Sequence, residues 1–140
     1  MKSNKGFTLI ELLAVIVILA IIALIATPMI LGVINTAKEG SAKTSAQYYV
    51  EAVEKSMMTA QLDEKGKAVA DDTYTVSENG TKLTGTKGGN FTVNYKGDAA
   101  ADDGEVVVSG GKVTSAKLKF ANIIDKDVYV DANGNASFNS

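Results

Sequence analysis

The feature that most limits what this chain can become is an uninterrupted apolar run, Leu12 to Ala26, that follows directly on a carboxylate, Glu11. No further charge occurs until Lys38. The interval is long enough to cross a hydrocarbon layer of ~30 Å as a helix. Glu11 is the exception inside it, because an acid costs about 2.5 to 3.5 kcal/mol at a bilayer centre and intramembrane carboxylates are kept where a function supplies a partner. Ahead of it, Met1 to Gly6 is too short and too polar for an ordinary secretory signal. Its Lys2 and Lys5 supply the positive flank that holds an N-terminus in the cytoplasm, so the chain is predicted to span the cytoplasmic membrane once, N-inside and C-outside. No Ala-x-Ala occurs between Leu12 and Ala26, and cleavage after the run is not expected.

Composition narrows the chemistry further. Of 140 residues 46% are hydrophobic, and much of that share lies before Asn35. The remainder is polar, glycine-rich and moderately acidic, which suits one small exposed domain. All 14 basic residues are Lys, and there is no Cys or His. A disulfide staple, a thiolate nucleophile, a zinc site of the usual ligands and an imidazole base at neutral pH are therefore absent. The formal net charge of −2 becomes more negative without Lys2 and Lys5, so no specific nucleic-acid partner is expected. The chain does not read as an enzyme.

Beyond Lys38 helical periodicity persists while the composition changes. Ala42, Ala46, Tyr49 or Val50, Val53, Met57 and Ala60 recur at spacings of three and four, with Glu39/Lys43 and Glu51/Lys55 as i,i+4 pairs. The pattern predicts one helix from Phe7 to about Leu62, on the order of 80 Å long, far more than a bilayer needs. Its second half must pack on something. Tyr48, Tyr49, Met57 and Met58 read as core and interface filler. Gly40 marks a tolerated bend and Gly66 the helix end. Pro28 removes the hydrogen bond to the Leu24 carbonyl and Gly32 loosens the next turn, so a helix break, kink or soft spot is expected there.

From Gly66 the period becomes two. Runs at Thr73 to Val76, Lys82 to Thr84, Phe91/Val93/Tyr95, Glu105 to Val108, Val113 to Phe120 and Val128 to Val130 are separated by Asn79-Gly80, Gly88-Gly89, Gly97-Asp98, Gly110-Gly111 and Asn133-Gly134. These are hairpin signals. The fold class is α+β: a long N-terminal helix packed on a small antiparallel sheet, which a disulfide-free head of ~75 residues needs for apolar contact. The domain boundaries expected are a leader at 1–6, a membrane or core helix at 7–34, an amphipathic half at 35–65 and a β head at 66–140.

Other polar clusters carry less. Asp125, Asp127, Asp131 and Asn133 gather oxygen ligands, but a calcium loop wants glycine sixth and glutamate twelfth, and here glycine falls fourth with no glutamate following. A polar hairpin turn is the preferred reading, with no metal and no cofactor. Asp71-Asp72 and Asp102-Asp103 read as solvated turns rather than catalytic pairs. Gly85 to Gly89 lacks the strand-to-helix context of a phosphate loop, and Lys112, Lys117 and Lys119 read as a solvated sheet face.

Lys5-Gly6-Phe7-Thr8-Leu9-Ile10-Glu11-Leu12 followed by an apolar helix resembles the class III signal of the type IV pilin superfamily. That resemblance implies a prepilin peptidase cutting after Gly6 and methylating the new amino group of Phe7. It implies that Glu11 complements the positive N-terminus of a neighbouring subunit during assembly, and that the turns from Leu19 to Pro28 either unwind in a filament or keep a static kink. Physically, a Glu in the first helical turn is favoured by the dipole, and a buried carboxylate paired with an ammonium recovers much of its desolvation cost. The implied partners are other copies in a helical filament, the peptidase, a platform protein with its ATPase machinery, minor pilins, and membrane lipid before assembly. Final location would be the cell surface, in an extracellular pilus serving adhesion, surface motility or aggregation. The lack of cysteines resembles pilins of Gram-positive bacteria and departs from members whose C-terminal loop is closed by a disulfide. Phe138-Asn139-Ser140 offers no sorting signal, so sortase assembly is not expected. A pseudopilin of a type II secretion or DNA-uptake system shares the same signal, and a membrane-anchored adhesin or binding module stands as a rival of another class.

Overall fold

The computed structural model describes residues 5–63, 69–97 and 99–139. They form two compact units, one up to Ala37 and one from Lys38 onward, and each is taken by itself. Gly66 and Asp98, to which the sequence assigned a helix end and half of a turn, lie outside the described residues.

In the first unit the chain enters α1 (Leu9–Asp63) two residues later than the apolar pattern suggested. Thr8 is the reason, since the Leu12 N–H bonds the Thr8 carbonyl while the Thr8 side chain caps the turn. Helical structure is continuous through Pro28 and Gly32. Large apolar side chains are exposed throughout this unit, from Phe7 at 84% to Ile34 at 43%. So long an apolar surface requires lipid or protein around it, and the helix is apolar and long enough to span a membrane.

The second unit places the rest of α1 on a seven-stranded antiparallel sheet. Its strands are β1 (Asp72–Ser77), β2 (Lys82–Gly85), β3 (Asn90–Thr92), β4 (Asp103–Ser109), β5 (Lys112–Lys119), β6 (Asp127–Asp131) and β7 (Ala136–Ser137), in the spatial order β3-β2-β1-β4-β5-β6-β7. Alternation decides the buried face: Tyr74 and Val76, Val106 and Val108, Ala116 and Leu118, Val128 and Val130 point inward. Against them α1 buries Ala42, Ala46, Tyr49, Val50, Val53 and Met57, the stripe expected from the three-and-four spacing. The α+β class and helix-on-sheet layering are those read from the sequence.

Four details differ from that reading. Tyr48 and Met58 are about 60% exposed, because a helix with one covered face cannot bury neighbours of Tyr49 and Met57 on the opposite side. Glu51 and Lys55 pair at 3.5 Å, but Glu39 bonds Lys126 at 3.0 Å while Lys43 sits over the Phe138 ring. Six strands were expected and seven form among the described residues, the short β7 pairing with β6 across the Asn133-Gly134 turn. Gly97 does not close a hairpin: β3 is an edge strand and β4 pairs with β1, so the intervening chain crosses β2 and β1.

Candidate processing and assembly site

Gly6 and Phe7 are exposed coil immediately before the helix. A Cβ built on Gly6 would meet nothing within 4 Å, so the fold itself has no steric need for glycine there. Glu11 is held by its own chain. The Thr8 N–H donates to Glu11 Oε2 at 2.9 Å and the Glu11 N–H donates to Thr8 Oγ1 at 3.3 Å. This reciprocal pair is a capping box, which satisfies two of the donors that a helix start leaves without partners. The Thr-x-x-Glu spacing at Thr8 and Glu11 was the available signal. The second carboxylate oxygen, Oε1, accepts no hydrogen bond among the described residues.

Farther along, Thr27 donates its hydroxyl to the Ala23 carbonyl at 2.6 Å and Thr36 to the Gly32 carbonyl at 3.1 Å. Hydroxyl groups bonded back onto a helix compete with its backbone ladder. Pro28 cannot donate to the Leu24 carbonyl, yet the helix runs on through it.

In the second unit the candidate acids do not converge. Asp131 accepts from the Asn133 N–H, the Asn135 N–H and the Asn135 Nδ2, each at 2.9 to 3.0 Å. These bonds, the Asn135 side chain foremost, hold its carboxyl below the usual carboxylate range. Asp127 pairs with Lys117 at 3.3 Å, which raises the Lys117 ammonium above its ordinary value, and Asp125 lies 3.9 Å from Lys119. Among the described residues no group of three or more acids is arranged to hold a metal ion.

Asp71 and Asp72 tie two turns; Asp71 is exposed, as read, while Asp72 is buried rather than solvated. Asp72 is 8% exposed and accepts from the Thr86 hydroxyl, the Lys87 N–H and the Thr73 N–H. The Thr86 bond is the main reason its carboxyl stays below the usual range. Asp71 takes the Gly110 N–H at 2.9 Å across the β4–β5 turn. Both acids are therefore occupied with architecture. Tyr49 donates to the Gly80 carbonyl at 2.8 Å, and burial pushes its hydroxyl well above the ordinary tyrosine value.

Comparison with known families matches residues 1–27 to the prokaryotic N-terminal methylation motif. Comparisons with curated proteins and with solved structures find no match. The match covers the coil, the capping box and most of the exposed apolar helix. Residues 1–27 thus carry the prokaryotic N-terminal methylation motif, a class III signal of the type IV pilin kind, at the head of a helix able to span a membrane.

Proposed function

We propose that the chain is a pilin, a structural subunit that waits in the cytoplasmic membrane and polymerises through α1 into an extracellular filament. The observation that carries this reading is the methylation motif running straight into a helix whose large apolar side chains are exposed from Phe7 to Ile34. In lipid that surface is satisfied, and bundled copies of the same helix would satisfy it equally. The leader 1–6 is removed by prepilin peptidase, Phe7 becomes the methylated N-terminus, 7–34 forms the filament core, 35–65 carries the head and 66–140 is displayed outside. Platform protein, ATPase and minor pilins complete the machinery.

Glu11 is the assembly residue in this reading. Capping uses Oε2 and leaves Oε1 open, so the carboxylate can stay in its capping box while receiving the ammonium of a neighbouring Phe7. A charge-assisted bond of that kind is stronger than a neutral one and fixes register between helices. Pro28 and Gly32, together with the Thr27 and Thr36 back-bonds, mark where α1 would yield as copies pack.

Electron microscopy of sheared surface material, with mass spectrometry of its N-terminus, tests the proposal. Filaments built from a chain beginning at methylated Phe7 are expected. Gly6→Ala should leave the leader attached, and Glu11→Ala should give processed, membrane-held monomer with few filaments. Normal filament yield from Glu11→Ala would remove the assembly role. Processed chain found only in a short envelope-bound fibre would identify a pseudopilin instead.

A further inference from the structure

We propose that the groove between α1 and the β3–β4 connection binds a saccharide chain. The groove encloses about 1080 Å³. One wall is the outward face of α1, with Thr44, Tyr48, Glu51 and Lys55; the other is formed by Asn94, Tyr95 and Lys96. The walls are tied together, since the Asn94 N–H donates to Ser56 Oγ at 3.0 Å and the Tyr95 ring meets buried Tyr49 edge-on at 5.7 Å. The cleft is therefore built into the second unit, with Tyr48, 61% exposed, as the more exposed of the two tyrosine rings that line it.

Its chemistry discriminates among ligands. A protein partner would want a desolvated apolar centre, and among the described residues the aliphatic lining is Ala52, Ala99 and Ile123. A nucleic acid would want a basic channel, yet of the two lining lysines Lys55 is paired with Glu51 at 3.5 Å. What remains is an aromatic face beside a run of hydroxyl, amide and ammonium groups. Sugar rings match that combination: their C–H faces carry partial positive charge and lie against the negative face of a tyrosine, while their hydroxyls both donate and accept.

The test uses the full chain in a detergent without a sugar headgroup, applied to an array of defined oligosaccharides, with a 20-mer of deoxythymidylate as polyanion control. Binding to one or more oligosaccharides is expected, weakened about tenfold or more by Tyr48→Ala and kept by Tyr48→Phe, which retains the ring. Tyr48 is exposed, so circular dichroism of the variant should match the parent. Binding to no saccharide, binding unchanged in Tyr48→Ala, or binding to the oligonucleotide alone would each overturn the proposal. Leader processing, read by mass spectrometry on cell-derived chain, reports on the pilin reading separately.

Discussion

Tyr49→Phe removes one oxygen from the centre of the second unit, and its effect can be worked through from the contacts. The Tyr49 hydroxyl donates to the Gly80 carbonyl at 2.8 Å, and Gly80 is itself buried in the β1–β2 turn. The turn has little freedom to re-aim, because a Cβ at Gly80 would already lie 2.8 Å from the Ala101 carbonyl, and Glu78 and Asn79 both hold positive φ. Loss of the donor strands a buried acceptor, which costs about 1 to 3 kcal/mol. For a domain of ~100 residues each kcal/mol moves the midpoint by about 4 to 8 °C, so a fall of roughly 10 °C is expected. Alkali offers an independent reading. A tyrosine whose folded pKa is raised holds its proton more tightly when folded, so its contribution is whole below the ordinary value of ~10 and is lost as pH climbs through the folded value. Burial raises both Tyr49 and Tyr74, so the parent should lose stability above pH ~10, and Tyr49→Phe should lose it less steeply. Thermal melts of the full chain in detergent from pH 7 to 11 provide the assay. An unchanged midpoint at pH 7, or an alkaline slope identical to the parent, would refute the reasoning.

Other perturbations probe separate contacts. Gly104→Ala should destabilise the sheet by more than ~2 kcal/mol in urea titration, since φ is +147° and the new Cβ would lie 2.2 Å from the Lys117 carbonyl of the paired strand; Gly110→Ala, at φ +62° with nothing within 4 Å, should cost only about 1 to 2 kcal/mol. Asp72 and Asp131 have lowered carboxyl pKa values, so the stability they provide is present above the ordinary Asp value of ~4 and drains away as pH falls; Asp72→Asn should flatten the acid limb of a stability profile. The C-terminal hairpin is fastened to α1 by Lys126–Glu39 at 3.0 Å, Gln47 donating to the Gly134 carbonyl at 2.8 Å, and Lys43 and Lys126 flanking Phe138. Phe138→Ala should speed amide exchange in β6 and β7 at least severalfold while leaving β1 and β4 protected; uniform protection would discount the fastening.

Helix and strands were legible because each leaves a period. The spacing of Ala42, Ala46, Tyr49, Val53 and Met57 named the buried stripe, and alternation in Val113 to Phe120 named the inward face of β5. Strand neighbours were not legible, since a period of two says which side a residue faces and nothing about which strand lies beside it. That is why β3 and β4 read as a hairpin. Gly97 signalled a turn there, yet no hairpin closes at it, because β4 pairs with β1. Asp72 was misread for a related cause: its burial depends on Thr86 and Lys87, brought near only when β2 returns beside β1. At the N-terminus the carboxylate stood out at once from its apolar surroundings. Its bond to the Thr8 N–H follows from the Thr-x-x-Glu spacing.

The order of the strands bears on crowding. The longest strands, β4 and β5, lie in the interior, and the sheet tapers to three residues at β3 and two at β7. Open strand margins are where sheets recruit one another, and brevity is one way to prevent it. Subunits held side by side at the density of a polymer would meet such margins constantly. In the proposed filament, a head that offers only two or three strand residues at either margin would leave the helix, and not the sheet, to decide how copies join.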